Sequence, residues 1–118
     1  MALTDRERKV QEKTMKIVRK YDGYVYKNAQ GLYTEKGRPD LTACIPVKLS
    51  TLEKLFGKDA EIGIFVGIEL KRDKDGYDTS DAQEIVGRKI KEAKGLWFST
   101  DDCDLVEALM IKLRGEVK

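Results

Sequence analysis

With 118 residues, 41% of them hydrophobic and 37% charged, the chain has enough length for one domain with a real core and carries a heavily charged surface. The formal net charge of +2 is too small to mark a nucleic-acid binder by itself. No apolar run reaches the roughly 18 residues of a membrane span, and the first residues lack the apolar core of a signal peptide. The chain has no histidine, with a count of 0. That excludes serine–histidine and cysteine–histidine catalysis, HExxH zinc hydrolysis and histidine-based nuclease sites. A hydrolase built on this chain has to work with carboxylates, lysine and hard cations.

Residues 4–21 are predicted to form an amphipathic helix, because Val10, Thr14, Ile17, Val18 and Tyr21 fall within one arc at helical spacing. Glu7 lies near the centre of that arc, Gln11 at its edge and Glu12 nearly opposite. An acid on a core-facing stripe is costly unless it serves a site or favours the dipole at a helix start, and Glu7 admits both readings. Asp22-Gly23 breaks the helix, and Tyr24–Asn28 reads as a short strand. A polar loop over 29–37, in which Tyr33 can pack or stack on a base, leads into Gly37-Arg38-Pro39-Asp40-Leu41. Pro39 forces Arg38 into an extended conformation, so Asp40 is expected to open a second strand running through Pro46.

Ser50-Thr-Leu-Glu53 has the pattern of a capping box, opening a short helix with Leu52, Leu55 and Phe56 inward and Gly57 at its end. Residues 62–71 alternate with period two. Ile62, Ile64, Val66, Ile68 and Leu70 share an apolar face, while Glu69 and Lys71 emerge together on the other. A charged turn over 72–79 follows, and its Asp73-x-Asp75-Gly76 lacks the later glutamate of a calcium loop. Ser80-Asp-Ala-Gln83 begins a helix to about Lys94, with Ala82, Ile85, Val86, Ile90 and Ala93 as its apolar stripe. Gln83 can close a capping box on Ser80 or face the acid–lysine strand. Leu96–Thr100 is a fourth strand. Asp101 or Asp102 caps a last helix with Leu105, Ala108, Leu109 and Leu113 inward. Cys44 and Cys103 lack zinc spacing and read as reduced thiols of a cytosolic protein, Cys44 as a small core residue. The order α-β-β-β-α-β-α, with a short extra helix, predicts an α/β fold: a mixed sheet of about four strands flanked by helices.

Pairing the two motif strands would let Asp40 and Glu69 converge with Lys71, a divalent-metal site with an ammonium beside it. Asp40, Glu69 and Lys71 match the signature of the PD-(D/E)XK nucleases, and the chain resembles their VRR-NUC branch. Four stretches carry the resemblance in order: Glu7-x-x-Val10-Gln11, Gly37-x-Pro39-Asp40-Leu41, Glu69-x-Lys71, and Gln83 at a helix start. Residues 47–61 depart from the pattern as an insertion between the motif strands, fit to cover the sheet edge, contact a partner subunit or hold DNA.

The resemblance implies a single nuclease domain over 1–118 with an αβββαβ restriction-endonuclease-like core. It implies a Mg²⁺- or Mn²⁺-dependent deoxyribonuclease with metal ligands from Asp40, Glu69 and the Leu70 carbonyl. Lys71, Gln83 and Glu7 join them as catalytic residues and Gln11 as a supporting one. Lys27, Lys36, Arg38, Arg72 and Lys74 flank the motif strands and are expected to meet DNA, or to be an ordinary solvated surface. Standalone members of the branch are small viral proteins acting as homodimers on branched DNA such as four-way junctions. A homodimer in the cytoplasm of a bacterial or virus-infected bacterial cell is therefore expected, with no membrane and no small organic cofactor. A non-specific or restriction-type endonuclease, and a DNA-binding module retaining the fold, are the alternatives. A purely structural Glu69–Lys71 pair is the bland reading.

Overall fold

The computed structural model describes residues 3–29, 31, 35–70 and 81–115. Helix α1 (Asp5–Lys20) starts on Thr4, whose Oγ1 accepts from the Glu7 amide at 3.1 Å. Asp5 and Glu7 lie in its first turn and Arg19 and Lys20 in its last, all favoured by the helix dipole. The line facing the fold is Gln11, Met15 and Val18, with Met15 buried. Val10, Thr14, Ile17 and Tyr21, expected inward, are exposed. The helix is rolled toward Met15, a position that a wheel of branched and aromatic residues passes over.

Strand β1 (Tyr24–Lys27) pairs antiparallel with β2 (Leu41–Cys44), with Lys27 opposite Leu41 and Tyr24 opposite Cys44. A short helix α2 (Leu49–Phe56) follows. Strand β3 (Val66–Leu70), helix α3 (Asp81–Glu92) and strand β4 (Leu96–Thr100) then form a βαβ unit, with β3 and β4 parallel from Val66↔Leu96 to Leu70↔Thr100. Helix α4 (Cys103–Arg114) closes the described chain. The element order is the expected one. The single four-stranded sheet is not: the strands form two sheets of two, β1-β2 and β3-β4.

Strand β3 is also shorter than the alternation over 62–71 implies. Its partner β4 begins only at Leu96, after the α3 C-terminus and the left-handed Lys94 (φ 72°), so backbone before Phe65 has no ladder to join. The alternation itself holds, but the covered face is the opposite one. Ile68 and Leu70 are 42% and 64% exposed, whereas Gly67 and Glu69 lie beneath α3. Trp97 explains the inversion. Its indole fills the space above Gly67 and under Gly87, where an added Cβ would come within 2.9 and 2.5 Å of the ring. Only the glycine face of α3 can seat there, so Gly87, Ile90 and Ala93 are buried while Ala82, Ile85 and Val86 are exposed.

Two further expectations are corrected. Ser50 lies inside α2 and caps nothing: the N-cap is Lys48, without a side-chain bond, and Leu55 and Phe56 are exposed. On α4, Val106 and Leu109 are half-buried, while Leu105, Ala108 and Leu113 face outward. Gly57 ends α2 as expected, and Asp102 caps α4 by accepting from the Asp104 amide at 2.8 Å.

Buried apolar residues are Met15, Val25, Cys44, Ile90 and Ala93. Cys44 links the two sheets: its Sγ lies 3.5 Å from the Ala93 carbonyl, as a donor, and burial pushes the thiol pKa up. The accessible surface is 10455 Å², against about 6,500 Å² for a compact protein of 13.4 kDa. The radius of gyration is 17.2 Å, against about 13.5 Å. No helix among the described residues is long and apolar enough to cross a membrane.

Candidate active site

Glu69 lies next to last in β3, half-buried on the face covered by α3. Positions 83, 87 and 90 of α3 recur at helical spacing along that face, so Gln83 falls over the strand ends where Glu69 stands. The Gln83 Nε2 donates to Glu69 Oε1, a bond between residues 14 apart in the chain. The carboxylate thus sits at the carboxyl end of a parallel strand, beside the N-terminus of the following helix. Open α/β sheets bind ligands in this position, and a helix start favours negative charge. The register aligns Ser99 of β4 with Glu69 on the same face.

Asp40 is exposed and immediately precedes β2. Asn28 fixes its surroundings. The Asn28 amide donates to the Asp40 carbonyl at 2.9 Å, extending the β1-β2 ladder by one bond. Its Nδ2 donates to the Pro39 carbonyl at 2.8 Å and the Thr42 hydroxyl at 2.7 Å, and its Oδ1 accepts from Arg38 at 3.2 Å. One buried asparagine therefore holds residues 38–42 around the candidate acid. Gly37, at φ 86°, supplies the turn that delivers them.

Asp40 shares a cavity of about 330 Å³ with Glu7 and Gln11 of α1. Gln11 lines that cavity, and its Oε1 is buried with no hydrogen-bond partner among the described residues. Glu7, expected near the centre of the inward arc, is exposed and lies off the buried stripe of α1, yet it lines the same cavity as Asp40. Glu12 is exposed and does not line this cavity.

The candidate residues therefore fall into two groups, Glu7–Gln11–Asp40 beside the first sheet and Glu69–Gln83 on the second. No three Asp, Glu or Cys side chains form a metal-binding cluster among the described residues. Lys71, Arg72 and Lys74 lie outside the described residues, as do Tyr33 and Ser80. Lys27 and Lys36 are exposed, and exposed Arg38 spends one donor on Asn28. Asp40, Glu69 and the carbonyl of Leu70, the last residue of β3, are oxygen donors of the kind a hard divalent cation takes, but among the described residues Asp40 and Glu69 stand in separate groups at separate sheets.

Sequence reasoning passed over Asn28 and Ser99. An asparagine at the end of a Tyr-Val-Tyr-Lys strand is a poor strand former, and that was a usable signal for a side chain with a task. Ser99 gave none, because a serine in an edge strand has no distinguishing pattern. No protein-family model matches the chain, and neither a curated protein nor a solved structure is significantly similar to it.

Proposed function

We propose that the chain is a divalent-metal-dependent endonuclease of the VRR-NUC branch of the PD-(D/E)XK nucleases, cutting phosphodiester bonds in branched DNA such as four-way junctions. The observation that carries the reading is the Gln83–Glu69 bond at the carboxyl end of β3. Two motif elements picked from sequence for one site meet there through tertiary packing. The Glu7–Gln11–Asp40 cavity supports it independently. The chemistry requires the two groups to come together, as pairing of β2 with β3 into one mixed sheet would bring about; among the described residues the two sheets are separate.

Asp40, Glu69 and the Leu70 carbonyl would hold Mg²⁺ or Mn²⁺, which when bound polarises the scissile phosphate and lowers the pKa of water. Lys71 orients the attacking water and offsets charge developing on the phosphate. Gln83 holds the Glu69 carboxylate at a fixed angle, and Glu7 and Gln11 bound the space in which water and phosphate meet Asp40. Lys27, Lys36, Arg38, Arg72 and Lys74 supply the field for the DNA backbone.

A second copy of the chain is the proposed partner. An accessible surface of 10455 Å² exceeds that of a compact monomer by about 4,000 Å² per chain; an obligate dimer interface removes about 1,000–2,500 Å² from each chain, so a second copy would cover part of that excess. Two sites in one dimer could cut a junction symmetrically.

The test is a panel of junction, flap, duplex and single-stranded DNA incubated with Mg²⁺, with Mn²⁺ or with EDTA. Metal-dependent cleavage with the junction preferred is expected. Undiminished activity in EDTA would sink the mechanism, and indifference to branching would leave a non-specific nuclease.

A further inference from the structure

Among the described residues, the side-chain atoms that are fully buried yet lack a hydrogen-bond partner are Gln11 Oε1 and Ser99 Oγ. The first belongs to Gln11, which lines the cavity of Asp40. The second sits in the βαβ unit, in a role that the proposed chemistry has not used. A hydroxyl removed from water without a new partner is destabilising, and native folds seldom carry one without use.

The position of Ser99 says what that use is. Its Cα is paired with that of Glu69, and paired residues on neighbouring strands present their side chains to one face. The pair two positions earlier, Trp97 with Gly67, shares this face and shows that it looks toward α3, because the indole packs between Gly67 and Gly87. Gln83 bonds Glu69 from the helix side. An ionised carboxylate has about four acceptor positions, and the Gln83 amide occupies one.

Building on the metal-dependent reading, we propose that Ser99 is a positioning residue for Glu69: its hydroxyl donates to the Glu69 carboxylate when that carboxylate carries a divalent ion. Gln83 then grips the group from the helix and Ser99 from the neighbouring strand, which leaves about two acceptor positions for the ion. Ser99 touches neither DNA nor metal. It acts through Glu69.

The experiment is calorimetric titration of the whole chain with Mn²⁺ alone, in wild type, Ser99→Thr and Ser99→Val. Threonine and valine have nearly the same shape and differ by the hydroxyl. Ser99→Thr should bind within about twofold of wild type, and Ser99→Val about 10-fold or more weaker, the usual effect of losing a partner of a metal ligand. Cleavage adds a readout that a packing defect would not give. The Ser99→Val rate should fall about tenfold at low Mn²⁺ and recover toward wild type at saturation, whereas loosened packing lowers both. Should a branched side chain unfold the protein, Ser99→Ala must show the same loss. Equal Mn²⁺ affinity in the threonine and valine variants would overturn the role of Ser99 and leave the nuclease reading standing. A wild type that takes up no Mn²⁺ would overturn both.

Discussion

Asn28→Ala tests how Asp40 is held. The substitution removes three bonds, to Pro39, Thr42 and Arg38, and keeps the backbone bond to the Asp40 carbonyl. A net hydrogen bond contributes about 0.5–1.5 kcal/mol, but the three are unequal. Pro39 and Arg38 are exposed, so water replaces Asn28 there at little cost. The Thr42 hydroxyl is half-buried and loses more. The expected loss is about 2 kcal/mol, a fall in Tm of roughly 5–10 °C for a chain of this size. The effect on cleavage should be larger than on folding. With residues 38–42 released, Asp40 no longer has one position, and a misplaced metal ligand typically costs about 10–100-fold. Thermal melting and single-turnover cleavage of a junction substrate, both below the variant's Tm, check the two parts. Thr42→Val, which cuts only one of the bonds, should lie between. A variant that melts and cleaves like wild type would refute the reasoning, because Asn28 would then be a bystander to the loop it touches.

The other predictions are brief. Glu7→Gln should reduce cleavage strongly while Glu12→Gln stays near wild type, since only Glu7 lines the cavity of Asp40; the reverse pattern would break the register of α1. Gly87→Ala gains about 1 kcal/mol of helix propensity but drives a methyl to 2.5 Å from the Trp97 ring, at about 1–3 kcal/mol, so Tm should fall and a rise would refute the packing. Exposed Cys103 should react with a thiol reagent in the native protein. Buried Cys44, whose thiol pKa is raised by burial, should react only on unfolding, and two fast thiols would contradict the described core. Lys71→Ala should lower the rate at saturating DNA by about 100-fold while binding in Ca²⁺ survives, and Arg72→Ala should alter affinity with the chemical step retained.

The elements were legible because each announces itself locally. Gly57 and Asp102 bound their helices as their chemistry requires, and Leu96–Thr100 is a strand in both readings. Which face of an element turns inward was not legible, since partners decide it. The apolar stripe of α3 pointed to Ile85 and Val86, yet the indole of Trp97 has room only against Gly87, and a glycine scores nothing on a hydrophobic wheel. The same contact inverts β3. For the site, residue types were visible and their supports were not: Glu69 and Gln83 stood out, whereas Asn28 and Ser99 matter only through what lies beside them in space.

The seam between the two sheets is where fold and proposed chemistry depend on each other. Each candidate acid is secured within its own sheet, Asp40 by Asn28 from the paired strand and Glu69 by Gln83 from the crossover helix. Neither support reaches across. Contact between the sheets comes instead through Cys44, against Ala93 and Gly95, at the end of β2 away from Asp40. A second groove, lined by Ile45, Leu52, Phe56, Ile64 and Phe65, is apolar and leads from Cys44 along α2. The groove sets apolar side chains of α2, within residues 47–61, beside Ile45, Ile64 and Phe65, which flank the seam. Under the proposed function, polar contacts set the angle of each carboxylate, and apolar contact along this groove, where Leu52 is half-buried and Phe56 exposed, is what would draw the two sheets together. Polar substitutions on α2 should therefore weaken cleavage without touching any residue of the site.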